Sequence, residues 1–241
     1  MPEMLTFDRP TDACAALQTR VDELLGEHLG SRALEAGAGK RTRLSLPPDT
    51  YVVGVDTDPD ALAWNTRLDE RVLCDLMEYN PPFGTFDLIT CWYVLEHVDR
   101  PELLIERFAN WLRPGGLMVL AVPHLGSPKS LVTKWTPHSF HVWFRRKVAG
   151  SANAGKPGFG PYPTTLRRAI APRNLARRAV DLGLTVAFEG YFEDSKQRKL
   201  RQILRLKGVG WRAARGLTRV ASLGQLDALR TEYLVVLQKE G

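Results

Sequence analysis

The chain is expected to fold as an α/β protein, a largely parallel β-sheet with helices on both faces. Three observations predict this. Apolar runs rich in β-forming residues recur within Ser31–Gly39 and Tyr51–Asp58 and at Arg71–Leu73, Phe86–Tyr93, Leu117–Val122, Leu184–Phe192 and Glu232–Gln238, with helical patterns between most of them. Strands alternating with helices give right-handed crossovers that collect the loops at one sheet edge. A chain of 241 residues, 44% of them hydrophobic, can bury one sizeable core without splitting.

Taken in order, Thr11–Gly30 reads as a helix capped by Thr11 and stopped by Gly30, with Leu17, Val21, Leu24, Leu25 and Leu29 on one face. Next come SRALEAGAG at Ser31–Gly39 and YVVGVDTD at Tyr51–Asp58, a glycine-rich turn followed by a second strand that ends in an acidic residue. Gly37 and Gly39 let backbone approach a ligand at the carboxyl end of the first strand, and Asp56 can accept both hydroxyls of a ribose. A dinucleotide fingerprint would need a third glycine at position 42, which is Thr, so a nicotinamide oxidoreductase is disfavoured. Asp87 lies in a strand expected to run on through LITCWYVLEHV. Pro101–Leu112 is an amphipathic helix with Leu103, Leu104, Phe108, Trp111 and Leu112 inward, and RPGG at Arg113–Gly116 turns it into the strand LMVLAVP.

LEAGAGK at Leu34–Lys40, GVDTDPDAL at Gly54–Leu62, CDL at Cys74–Leu76, FDLITCWYVLEHV at Phe86–Val98 and WLRPGGLMVLAVP at Trp111–Pro123 together resemble the class I S-adenosylmethionine-dependent methyltransferases. Within them, the likeness is to the small-molecule branch of the ubiquinone and menaquinone methyltransferases. It is close over Thr11–Pro123 and returns at Asn174–Val186 and in EYLVVLQK. The resemblance implies a Rossmann-like seven-stranded mixed sheet whose last strand is antiparallel, and S-adenosylmethionine as cofactor. It places Glu35 and the backbone of Gly37, Ala38 and Gly39 at the methionine part, Asp56 on the ribose and Thr57 beside the adenine. Asp75 would take the adenine amino group, Leu76 would meet the ring through its backbone, and the backbone at Cys91 and Trp92 would close the methionine end. Lys40 departs from the family pattern, which commonly has glycine there. The organisation expected is one domain over 1–241, with a cofactor core at 11–122, an acceptor lid at 123–172 and a basic helical insertion at 194–231.

Charge divides the chain. Residues 1–128 carry 11 Lys and Arg against 20 Asp and Glu, whereas residues 129–230 carry 21 against 5. The basic half suits an acidic acceptor, an anionic membrane surface or nucleic acid, or is simply a solvated face. An RNA methyltransferase is the weaker alternative: Asn80–Phe83 spells NPPF, but between the third and fourth strands rather than at a strand end. Lys196–Leu223 is dense in Lys and Arg around Leu200, Ile203, Leu204, Val209, Trp211 and Leu217. It reads as an amphipathic helix broken near Gly208 and Gly210. The lid holds Trp135, Phe140, Trp143, Phe144, Phe159 and Tyr162, rings that can wall an apolar acceptor.

Histidines are the natural bases for a hydroxyl acceptor. His97 reads as structural. His124, directly after the fifth strand, and His141 are the acceptor-side candidates. His138 and His141 stand three apart without a recognisable third ligand, so no metal site is assigned. Cys14, Cys74 and Cys91 lack metal spacing and form no disulfide framework, and neither a leader nor a spanning segment is apparent; the expected location is cytoplasmic. The function expected is methylation of a small organic acceptor, favouring oxygen on a hydroxylated secondary metabolite, with a carbon on a quinone or lipid precursor second.

Overall fold

The computed structural model describes residues 4–26, 31–125, 127, 167–203, 208–221 and 227–241. Their strands are β1 (Leu5–Phe7), β2 (Arg32–Ala36), β3 (Tyr51–Asp56), β4 (Glu70–Leu73), β5 (Phe86–Trp92), β6 (Leu112–Pro123), β7 (Leu184–Phe192) and β8 (Glu232–Lys239). The helices, labelled here in order among the described residues, are α1 (Pro10–Leu25), α2 (Pro59–Trp64), α3 (Pro101–Trp111), α4 (Pro172–Asp181), α5 (Ser195–Ile203) and α6 (Gly208–Ala221).

One sheet holds all eight strands in the order β1-β7-β8-β6-β5-β2-β3-β4. Only β8 runs against its neighbours, pairing antiparallel with both β6 and β7. The sheet is therefore mixed, as expected, with one strand more than expected: the three-residue β1 adds to the outer edge of β7 in parallel register. LTF is too short to stand out as a periodic run, and only the free edge of β7 makes it a strand.

Residue alternation along the strands builds the two layers. Met118, Leu120 and Val122 of β6 face one way, with Leu34, Val53 and Ile89, onto Leu104, Ile105, Phe108 and Trp111 of α3 and Leu175 of α4. Leu117, Val119 and Ala121 face the other way, with Ala33, Val52 and Leu88, onto Ala13, Leu17 and Val21 of α1. Gly54 has no room for a side chain, since a Cβ there would lie 2.4 Å from Leu68 Cδ1.

Several boundaries differ from expectation. Helix α1 starts at Pro10 after Arg9, with no side-chain cap, and stops at Gly26. Thr11 is therefore inside the first turn, and its hydroxyl meets Asp12 instead of capping. A proline at the first helical position needs no N–H partner, which makes the start independent of Thr11. Strand β5 stops at Trp92, because Tyr93 turns into the left-handed region at φ 59° and Leu95–His97 form a 3-10 turn. The RPGG stretch lies within the irregular start of β6, after the helix has ended at Trp111.

Among its described residues, the basic insertion holds the helices α5 and α6. They are tied to the body by buried carboxylates. Fully buried Glu193 accepts two bonds from Arg201, from Nε at 3.0 Å and from Nη2 at 2.7 Å. Asp227, 5% exposed, receives Arg215 at 2.9 and 2.8 Å and Arg219 at 2.9 Å. Part of the positive charge is thus structural, and the arginine beside each carboxylate offsets the cost of burying it. No described helix is long and apolar enough to cross a membrane.

Candidate cofactor and acceptor site

The strand order reverses between β2 and β5, and at that point the carboxyl ends of β2, β3, β5 and β6 converge on one edge of the sheet. The loop after β2 turns through two left-handed glycines, Gly37 (φ 75°) and Gly39 (φ 56°). The N–H groups of Gly37 and Ala38 both donate to the Val55 carbonyl, at 2.9 and 3.1 Å, binding the loop to β3. A Cβ at Gly37 would sit 2.3 Å from Val94 Cγ2, whereas nothing lies within 4 Å of one at Gly39. The first glycine is thus demanded by contact as well as by φ, the second by φ alone.

Asp56 closes the loop from the other strand. Its Oδ2 accepts from Gly39 N–H at 2.9 Å and its Oδ1 from Asp58 N–H at 2.9 Å. Asp58 in turn caps α2, accepting from the N–H groups of Asp60 and Ala61 ahead of the helix that opens with Pro59. Thr57, between them, is exposed. Lys40 stands with its Nζ 4.5 Å from the Trp64 ring centroid, so the residue that replaces the family glycine is directed to α2.

Glu35, 3% exposed, lies beside its register partner Thr90 of β5. Burial pushes its carboxyl up to about 7, against the opposing influence of the Thr90 side chain and the Arg43 charge. Its Oε1 is buried and has no hydrogen-bond partner among the described residues. Across the loop, Cys91 is fully buried, its thiol driven up by desolvation. Trp92 follows, and the Tyr93 N–H is fixed to the Ala121 carbonyl at 2.9 Å. Just past β4, Asp75 is exposed and its Oδ1 accepts from Met77 N–H at 2.7 Å, while Leu76 is buried at 7% exposure.

Residues 8–186 match the family described as "Methyltransferase domain". The chain belongs to that family. Among curated relatives, a ubiquinone biosynthesis O-methyltransferase from Neisseria meningitidis serogroup C is 25% identical over 180 residues, covering 66% of this chain and 65% of the relative. One of the same name from Bradyrhizobium is 30% identical over 164 residues, covering 59% and 62%. The chain thus spans less than two thirds of either relative. A SAM-dependent methyltransferase structure from Archaeoglobus fulgidus superposes with a TM-score of 0.54 at 16% identity, covering 94% of both chains. An S-adenosylmethionine-dependent methyltransferase from Mesorhizobium loti gives 0.55 at 17%, covering 95% and 99%. These two show the fold.

Membership of a methyltransferase family implies S-adenosylmethionine as cofactor, and the residues present suit its parts. A buried carboxyl oxygen without a donor, at Glu35, is the counterpart of an ammonium group. The carboxylate of Asp56, held by two backbone N–H groups, would accept from a pair of hydroxyls. Gly39 keeps the loop open beside it.

On the acceptor side His124 follows β6. Its N–H donates to the Thr231 carbonyl at 2.9 Å, and its Nδ1 lies 2.8 Å from the Arg230 carbonyl. A carbonyl only accepts, so Nδ1 carries the hydrogen and the neutral ring holds its lone pair on Nε2. Burial lowers its pKa below the ordinary 6.5, the Arg230 charge works in the same direction, and the Arg230 carbonyl opposes both. The Tyr191 ring meets it edge-on, with centroids 5.2 Å apart.

His141, His138 and the lid aromatics lie outside the described residues. His97 is exposed at the 3-10 turn, its N–H on the Val94 carbonyl at 2.8 Å. The described residues contain no group of three His, Cys, Asp or Glu side chains able to hold a metal. Three residues at this edge escape the sequence patterns: Arg43, Tyr93 and Glu232. Arg43 reaches the Trp92 and Tyr93 rings from a loop with no periodic signal. Glu232, 4% exposed, opens the antiparallel strand opposite Pro123, so only strand direction brings it here.

Proposed function

We propose that this methyltransferase transfers the methyl group of S-adenosylmethionine to an oxygen of a small hydroxylated organic acceptor. The observation that carries the reading is His124, whose Nδ1 is pinned to a backbone carbonyl at the end of β6 and whose pKa is lowered by burial. A ring held in this tautomer is neutral at physiological pH and presents Nε2 as a proton acceptor. The names of the curated relatives, O-methyltransferases, support oxygen over carbon.

When bound, the cofactor supplies a methyl carbon made electrophilic by its sulfonium. Asp56 and the glycine loop orient the nucleoside, and Glu35 holds the ammonium end, so the protein contributes placement rather than covalent help. His124 Nε2 takes the acceptor's hydroxyl proton as the oxygen attacks.

A second reading, a quinone or lipid precursor presented at an anionic bilayer, is favoured by the outer face of α6. Val209, Leu217 and Val220 are 73, 71 and 76% exposed there, on the same helix as exposed Arg212.

Incubation with isotopically methyl-labelled cofactor and a panel of catechols, phenols and prenylated hydroxybenzoates tests both. Label in a methyl ether is expected; label on a ring carbon sinks the oxygen assignment. A requirement for anionic vesicles would favour the second reading.

A further inference from the structure

The methionine end of the cofactor is a zwitterion, and Glu35 accounts for only its ammonium group. The α-carboxylate needs donors of its own. The loop amides nearest to hand are already committed: Gly37 and Ala38 N–H to the Val55 carbonyl, Gly39 N–H to Asp56. Two of the neighbouring cations are occupied as well. Arg20 binds the Ala187 carbonyl and Glu23, and Arg67 binds Asp69 and the Pro47 and Thr50 carbonyls.

Arg43 is different. Its guanidinium carbon stands 5.6 Å from the Trp92 ring centroid and 5.7 Å from that of Tyr93. Among the described residues it makes no hydrogen bond or ion pair. Alternation along β2 and β5 puts Glu35, Thr90 and Trp92 on the sheet face covered by α1, and the Arg43 charge acts on both Glu35 and Cys14 of that helix. The same guanidinium is therefore near the ammonium-binding carboxyl and steadied by two aromatic faces, with its N–H fork uncommitted.

We infer that Arg43 receives the cofactor's α-carboxylate, so that Glu35 and Arg43 together clamp the two charges of the methionine end while Trp92 and Tyr93 hold the guanidinium in place. The inference rests on S-adenosylmethionine being the occupant of the cleft.

Calorimetric titration of the full chain with S-adenosylmethionine and with its decarboxylated analogue, which keeps the sulfonium and the ammonium group, tests it. The wild type is expected to prefer the carboxylated compound by roughly 10- to 100-fold, the range for a hydrogen-bonded charge pair. Arg43→Gln should bind the two alike, and Arg43→Lys should recover part of the preference. A preference retained in Arg43→Gln, an equal loss for both compounds, or no preference in the wild type overturns the assignment. A wild type that binds neither compound overturns the cofactor reading itself and the assignment with it.

Discussion

The backbone N–H of Gly39 donates to Oδ2 of Asp56 at 2.9 Å, so the glycine loop after β2 and the end of β3 are joined by a charge-assisted bond within the protein. The carboxylate is thereby held in one orientation by the loop that shares the site.

Asp56→Ala removes that bond together with the ribose acceptor. Hydrogen bonds to a charged group contribute about 1.5 to 3 kcal/mol each, and two hydroxyls are served. Binding of S-adenosylmethionine should become unmeasurable at micromolar concentrations by calorimetry; retained affinity would remove Asp56 from the ribose.

Gly37→Ala brings a Cβ to 2.3 Å from Val94 Cγ2 on a backbone with φ 75°. Overpacking and left-handed strain add, giving an expected destabilisation of about 2 to 4 kcal/mol, read as a lowered urea midpoint at unchanged m-value. Gly39→Ala, with the strain but no contact, should cost about 1 kcal/mol.

Glu35 sets a pH dependence of stability whose sign follows from its raised pKa. The folded protein holds the proton up to about pH 7, whereas the unfolded chain releases it near 4.5. The fold is therefore favoured below the ordinary carboxyl range, and that contribution is lost as pH rises from there through about 7. Glu35→Gln should remove the loss, gaining up to about 3 kcal/mol on the wild type between pH 5 and pH 8 in urea titrations. It should also weaken cofactor binding most above pH 7, where the wild-type carboxylate is ionised.

His124→Gln should lower kcat by about 10²- to 10⁴-fold with the cofactor Kd unchanged. In the wild type the base must be neutral, so turnover should fall on the acid side at a pH below the ordinary histidine value of 6.5, in keeping with the direction of its shift. Equal loss of cofactor binding in the variant would make His124 a structural residue.

Much of this architecture was legible because it rests on local patterns. Alternation along LMVLAVP marks a strand buried on both faces, and Val119 and Leu120 do lie on opposite layers. LEAGAG before YVVGVD predicts the left-handed turns that Gly37 and Gly39 adopt. Gly208, whose φ of 53° favours glycine, opens α6, but the helix continues through Gly210, where a break was also expected.

What escaped the sequence was set by distance in the chain. The Tyr93 turn and the extra edge strand come from packing that no neighbouring residue signals, whereas the helix start at Pro10 is local, set by a proline that needs no N–H partner.

By itself the sequence determined the α/β class, the glycine loop and Asp56, because strand alternation and glycine φ requirements act over a few residues. Only the tertiary structure decided that Glu35 Oε1 is buried without a donor, that His124 carries its hydrogen on Nδ1, and that Arg43 stands over Trp92. Those properties depend on desolvation and on partners tens of residues away, such as Arg230 against His124, which are neighbours only once the sheet has formed.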